Sequence, residues 1–143
     1  HIRPINRGDL ELLLAWRSLL PPYATRDGKT PAWEDHLAWF ENRDDLRLDF
    51  VIIHQGRKVG TVGINRVKEP WISIHVAEPG LRRAGIATAA CKEILSMLKS
   101  EGWTYCLAEV SALNTRSQAF FRELGFIAEI DQGKWQRWRK PLD

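Results

Sequence analysis

Leu107-Ala108-Glu109-Val110-Ser111-Ala112-Leu113-Asn114, continuing through Thr115 to Leu124 and closing on Gly125-Phe126, is the stretch on which the fold turns. Tyr105 to Val110 reads as a strand of buried type with one carboxylate set into it. Asn114 is a strong N-cap for the helix that follows, and Gly125 is a natural C-terminal stop for it. Phe126 to Ile130 and Lys134 to Arg139 then read as two strands joined by a turn at Gly133.

Immediately upstream, a helix from Gly85 to about Ser100 carries Ile86, Ala90, Ile94 and Leu98 on one stripe, a core-facing pattern. Before it come three strands. These are Leu48 to Ile53, Val59 to Val67 after a turn at Gln55-Gly56-Arg57-Lys58, and about Trp71 to Ala77 between Pro70 and Pro79. The chain opens with a short β-like segment at Ile2-Arg3-Pro4-Ile5. A helix capped by Asp9 follows and stops at Pro21-Pro22. After a loop through Asp27-Gly28, Thr30-Pro31 reads as an N-cap followed by proline at the first helical position. Trp33, Leu37 and Phe40 recur on that second helix, with Glu34 and Asp35 in its first turn. The expected order is β-α-α-β-β-β-α-β-α-β-β.

The chain has 143 residues, 44% hydrophobic and 27% charged, with a mean hydropathy of −0.33, which excludes disordered and fibrous classes. One domain spanning 1–143 is expected. No apolar run approaches membrane-spanning length, and no signal peptide is evident. Cys91 and Cys106 are too few for a disulfide framework or structural zinc site, so they read as reduced core residues of a cytoplasmic protein. The chain begins at His1 and its only methionine is Met97, so its initiator was lost or replaced, or it is a domain of a larger polypeptide.

The net charge of +3 and pI of about 9.1 suit a nucleic-acid binder and equally an enzyme that holds a polyanionic cofactor. Leu81-Arg82-Arg83-Ala84-Gly85-Ile86-Ala87 favours the second. It lies between a strand and a strongly periodic helix, so the free amides of a helix start point into it. Gly85 lets backbone approach a phosphate, Ala87 keeps the next turn narrow, and Arg82 and Arg83 add charge. The spacing is neither a Walker loop nor a dinucleotide fingerprint.

With these two segments in hand, the chain resembles the GNAT superfamily of acetyl-CoA-dependent N-acetyltransferases. Arg82, Gly85 and Ala87 match that family's Arg/Gln-x-x-Gly-x-Gly/Ala loop. Glu109-Val110, Asn114 and Gly125-Phe126 match the segment that follows it, and the element order agrees across nearly the whole chain. The resemblance implies an α+β fold. Its sheet is mixed, mainly antiparallel and seven-stranded with helices on both faces, and its third and fourth central strands splay apart. Acetyl-CoA would be the co-substrate, and no metal is implied. Pantetheine would lie in the gap against backbone near Val76 and Ala77. Arg83, Ala84, Gly85, Ile86, Ala87 and Thr88 would hold the pyrophosphate beside Arg82, and Asn114, Ser117 and Phe121 would line the cofactor from the next helix. The span from Val76 to Arg82 is one residue longer than the family's usual spacing.

The implied reaction moves acetyl directly to a primary amine, and a protonated amine needs a base. Glu109 is the first choice, because it matches the base of the family's ribosomal-protein acetylases and because a carboxylate in an apolar strand needs a reason. His75 is the alternative, on the strand bordering the thioester. The family's usual acid is a tyrosine seven residues after the asparagine, and here that residue is Phe121. Water or Ser117 would take its place, or the thiolate would leave unprotonated. The loss also keeps a non-catalytic acyl-CoA-binding module in play.

For the acceptor, Ala15-Trp16-Arg17 and Glu34 to Phe40 resemble acetyltransferases of nucleotide-linked amino sugars, as in pseudaminic and related nonulosonic acid pathways. That resemblance implies Arg17, Trp33 and His36 as substrate-binding residues. Protein N-termini and small polyamines are the alternatives. The tail Lys134 to Lys140 interleaves bases with aromatics as single-strand binders do. Its alternation also reads as a half-buried strand, so nucleic acid and membrane are not expected partners. The assembly would be a monomer or homodimer.

Overall fold

In the 105–111 segment the side chains alternate between the two faces of a strand, one of them wholly dry and the other broken by a carboxylate. Cys106, Ala108 and Val110 are buried, whereas Glu109 between them is exposed. The computed structural model describes residues 1–21, 24, 29–81 and 85–143, with backbone only for 130–132. Its strands are β1 (Ile2–Pro4), β2 (Arg47–His54), β3 (Arg57–Asn65), β4 (Trp71–Val76), β5 (Tyr105–Ser111), β6 (Ile127–Gln132) and β7 (Trp135–Pro141). Its helices are α1 (Leu10–Ser18), α2 (Trp33–Glu41), α3 (Ile86–Ser100) and α4 (Thr115–Glu123). Together they make the expected mixed α+β fold. The strands form one sheet in the order β1-β2-β3-β4-β5-β7-β6, antiparallel except where β4 runs parallel to β5.

The apolar stripe of α3 and the inner side of α4 cover one face of the sheet. Ile86, Ala90, Ile94 and Leu98 pack with Cys106, Ala108 and Val110, and Phe121, Phe126 and Trp138 close the cluster. The thiols of Cys91 and Cys106 lie free inside it, and burial pushes both up to about 12, so neither is a thiolate at neutral pH.

α1 and α2 belong to the opposite face, where charge does much of the joining. Asp9 stands at the N-cap of α1 as expected, but its side chain makes no cap bond to that helix. Asn6 caps a single 3-10 turn at Arg7–Asp9, and the fully buried Asp9 carboxylate accepts from the Asn6 amide at 2.8 Å. Arg3 grips the same carboxylate with contacts of 2.8 and 2.9 Å, and Lys58 reaches it at 2.6 Å. The Arg3 hydrogen bond, aided by Lys58, holds the Asp9 carboxyl well below the usual carboxylate range. β1, the start of α1 and β3 are thereby fastened at one point. α2 starts later than expected, at Trp33 with Ala32 as N-cap, and the first helical bond is His36 to the Ala32 carbonyl at 3.0 Å. The Asp27-Gly28 turn lies outside the described residues.

Candidate active site

One register pair, Trp71 with Leu107, is all that β4 and β5 share, with the Leu107 amide donating to the Pro70 carbonyl at 2.8 Å. On its other side β4 stays paired with β3 to the end, through Gly60 with Val76 and a bond from the Ala77 amide to the Val59 carbonyl at 2.8 Å. Gly60 is required for that adherence, because a Cβ there would sit 2.2 Å from the His75 carbonyl oxygen. Held to β3, β4 shares no further register pair with β5 beyond Leu107, so the ladder between the two strands opens there.

In an antiparallel ladder the backbone groups of successive residues point alternately to either side. Since Ala77 bonds to β3, Ser73 and His75 share its direction, while Ile74 and Val76 turn their amides and carbonyls toward the gap. The Ala77 amide is therefore already engaged, and Ile74 takes its place beside Val76 as the backbone that faces the gap.

α3, which packs against β4, starts from Gly85 in the left-handed region (φ +78°) with no side-chain cap. Among the described residues nothing lies within 4 Å of where its Cβ would stand. The first helical bond runs from Ala89 to the Gly85 carbonyl at 3.0 Å, so the amides of Ile86, Ala87 and Thr88 have no acceptor within the helix. Among the described residues nothing accepts from these three amides at the positive end of a 15-residue helix or stands over the glycine beside them, an arrangement that fits a diphosphate. Arg82, Arg83 and Ala84 lie outside the described residues.

The two candidate bases share the face turned away from α3. Trp71 and Leu107 are register partners there, and two-residue alternation carries that orientation to His75 on β4 and Glu109 on β5. Glu109 is exposed and stands directly across from Arg137 of β7, while His75 is half-buried; neither is without a partner. Glu109 is thus polar because it faces outward, so the burial argument made from the sequence does not apply.

On α4, Asn114 is the cap as expected, its Oδ1 accepting from the Ser117 amide at 3.1 Å. Gln118 Nε2 donates to the carbonyls of Ser111 and Ala112 at 3.2 and 3.1 Å, which locks the β5–α4 turn. Phe121 is 5% exposed and packs edge-on against Phe120 and Phe126, with ring centroids 5.2 and 5.1 Å away.

The α1–α2 residues divide. His36 is buried, and its Nε2–H donates to the Leu10 carbonyl at 2.9 Å, so it ties α2 to α1. Its ring stacks on Trp39 at 5.5 Å. Trp33 is 42% exposed, and Arg17 is half-buried on α1 with Nη2 3.4 Å from the Lys29 carbonyl. The sequence reading missed a group that the register assembles beside α2, comprising Arg43, Arg47, Asp49 and Asn65. No local motif announces it, since its members come from a loop and two strands. Among the described residues no group of side chains could hold a metal ion, and no helix is long and apolar enough to cross a membrane.

The acetyltransferase (GNAT) domain family matches residues 1–127. The chain belongs to the GNAT acetyltransferases. The Methanocaldococcus jannaschii protein MJ1062 is 32% identical over 145 residues, which is 96% of this chain but 30% of that protein, so the chain spans less than a third of this relative. A solved domain from the same organism is 29% identical with a TM-score of 0.86, covering 99% of this chain and 97% of that one. A ribosomal-protein-alanine N-acetyltransferase from Brucella melitensis (22% identical, TM-score 0.78, 99% of both chains) shares the fold. So does a spermidine N-acetyltransferase chimera from Vibrio cholerae (17%, TM-score 0.80, 99% and 95%). The GNAT fold accounts for the splayed strands and for the helix start beside them.

Proposed function

We propose that this GNAT domain transfers acetyl from acetyl-CoA to a primary amine of a nucleotide-linked amino sugar. The observation that carries the reading is Glu109, an exposed carboxylate on the face that opens at the β4–β5 gap, with the uncapped start of α3 on the neighbouring strand's flank. Acetyl-CoA supplies the acyl thioester. The amides of Ile86, Ala87 and Thr88 receive its diphosphate with Arg82 and Arg83, and the backbone of Ile74 and Val76 meets its pantetheine amides. Glu109 removes the proton from the acceptor's ammonium, and His75 is the alternative base on the same face. Phe121 has no proton to give, so water or the Ser117 hydroxyl serves the departing thiolate. The sugar acceptor rests on the likeness of the α1 and α2 sequences. The buried free thiols of Cys91 and Cys106 support a cytoplasmic setting.

The test is acetyl-CoA turnover against nucleotide-linked amino sugars, peptides with free N-termini, polyamines and aminoglycosides. Glu109→Gln is expected to keep acetyl-CoA affinity while lowering turnover by roughly 10²-fold or more. If His75→Ala collapses turnover and Glu109→Gln does not, His75 is the base. A wild type that binds acetyl-CoA but releases no thiol with any acceptor is a binding module. Gly85→Val, strained at positive φ and placing a branched side chain where backbone meets phosphate, is expected to abolish the acetyl-CoA-induced rise in Tm.

A further inference from the structure

Arg47, Asn65, Trp71 and Leu107 form one row across β2, β3, β4 and β5, each the register partner of the next. Partners across a ladder share a face, so the row lies on the face that carries Glu109. At its β2 end the row runs under α2, into an open cleft of about 410 Å³ lined by Trp39, Arg43, Arg47 and Asn65 together with Asp35 and Asp44.

The donors of that cleft are incompletely used. Arg43 Nη1 takes Asp49 Oδ2 at 2.8 Å and its Nε reaches the Phe40 carbonyl at 3.4 Å, which leaves Nη2 without a partner among the described residues. Arg47 has only two long contacts to the same carboxylate, at 3.4 and 3.5 Å, and its Nη1 has none; its side chain is 38% exposed. Asn65 Oδ1 accepts from the Val67 amide at 3.0 Å, so its Nδ2 is the end left over.

These donors are also held in place. Both guanidiniums lie against the Trp39 ring, 5.3 and 5.6 Å from its centroid, and His36 stacks on that ring at 5.5 Å. Gly63 leaves the room that Asp49 occupies beneath them; a Cβ there would come within 2.7 Å of its Oδ1. Of the cleft's carboxylates, Asp44 Oδ1 is engaged by the Leu46 amide at 2.9 Å. With carboxylates present the cleft is no general attractor of anions. It selects a ligand whose oxygens accept at several points together.

We propose that this cleft is an acceptor subsite, in which Arg47, Arg43 and Asn65 bind phosphoryl oxygens of the molecule whose amine Glu109 deprotonates. Its place in catalysis rests on the acetyl-transfer reading above. Three strand spacings and two residues separate Arg47 from Glu109, about 16 Å between Cα atoms; side chains on one face stand mostly upright, so a lean of about 3 Å from each leaves on the order of 10 Å between anion and amine. A diphosphate-linked amine spans that interval, whereas an amino acid does not. Trp39 is a support for the guanidiniums rather than a platform for a base, since His36 stacks on it and both guanidiniums lie against it.

The experiment titrates uridine diphosphate, with inorganic pyrophosphate as a second probe, into protein saturated with CoA so that the α3 start is blocked. Binding is expected, weakened about tenfold by Arg47→Gln, the equivalent of one charged hydrogen bond. Arg7→Gln, which removes an exposed arginine elsewhere, is expected to leave it unchanged. The same Arg47→Gln is expected to raise the KM of a nucleotide-linked amine and not that of acetyl-CoA. Arg47→Lys keeps the charge and loses the planar fork, and should fall with the glutamine variant; Tm values close to wild type show that both variants are folded. Absence of binding by either probe in the CoA complex, or binding that Arg47→Gln leaves untouched, overturns the subsite. Binding through Arg47 alongside failure to acetylate any amine upholds the subsite as an anion site and removes the acetyl-transfer reading instead.

Discussion

One face of the sheet is dry and the other is pinned by charge. Between the sheet and its cover of α3 and α4 lie Ile94, Leu98, Ala108 and Phe126, all buried and apolar. Beneath α1 and α2, Asp9 is held by Arg3 and Lys58, His36 by the Leu10 carbonyl, and Asp49 by Arg43 at 2.8 Å. The first face gains stability from area, which is non-directional and tolerates conservative exchange. The second also buries Leu10 and Val51 but depends in addition on single polar partners, each of which leaves an uncompensated group when removed. The dry face supports the start of α3, and the charged one borders the surface where Glu109 opens to solvent.

The comparison is sharpened first by paired truncations. Leu98→Ala, at a fully buried site, is expected to cost about 3 to 4 kcal/mol by denaturant titration at any pH between 4 and 8. Asp9→Asn is expected to cost about 3 kcal/mol near neutrality, at the low end for a broken buried pair because both cations are partly exposed. The sign follows from its lowered carboxyl. The contribution is complete above the ordinary aspartate value of about 4 and is lost as pH falls below that toward the folded value, so the gap between wild type and Asp9→Asn should narrow in acid. Equal pH dependence for the two variants would erase the distinction between the faces.

A smaller effect tests where the dry face ends. Phe121→Tyr places a hydroxyl between Phe120 and Phe126 and is expected to lower stability by about 1 to 2 kcal/mol without raising turnover. A variant that keeps its Tm and gains rate would put the edge of the ring at the gap and give the departing thiolate an acid.

The dry face was legible in the chain. Ile86, Ala90, Ile94 and Leu98 recur at helical period, Asn114 and Gly125 bracket α4, and Gly85 marks the start of α3, because these signals act over a turn or two. The charged face was not. Asp9 looks like an N-cap from its neighbours, and nothing local shows that Arg3 and Lys58 compete for it. His36 enters the sequence reading through the resemblance of its helix, and nothing local shows that its hydrogen-bond partner is the Leu10 carbonyl 26 residues away. Glu109 stands out in the sequence as the carboxylate of an apolar strand, but the argument of burial that singles it out is removed by its exposed position.

By itself the sequence determined the order of elements, the helix start that can receive a diphosphate, and the family, since each follows from periodicity and from residue types within a few positions. Only the tertiary structure decided which backbone groups of β4 face the gap, because that depends on Gly60 letting β4 cling to β3. It alone also decided that Arg47 and Asn65 share a face with Glu109. Strand register brings those residues together from 47, 65 and 109, and register is a property of the paired sheet rather than of any one segment.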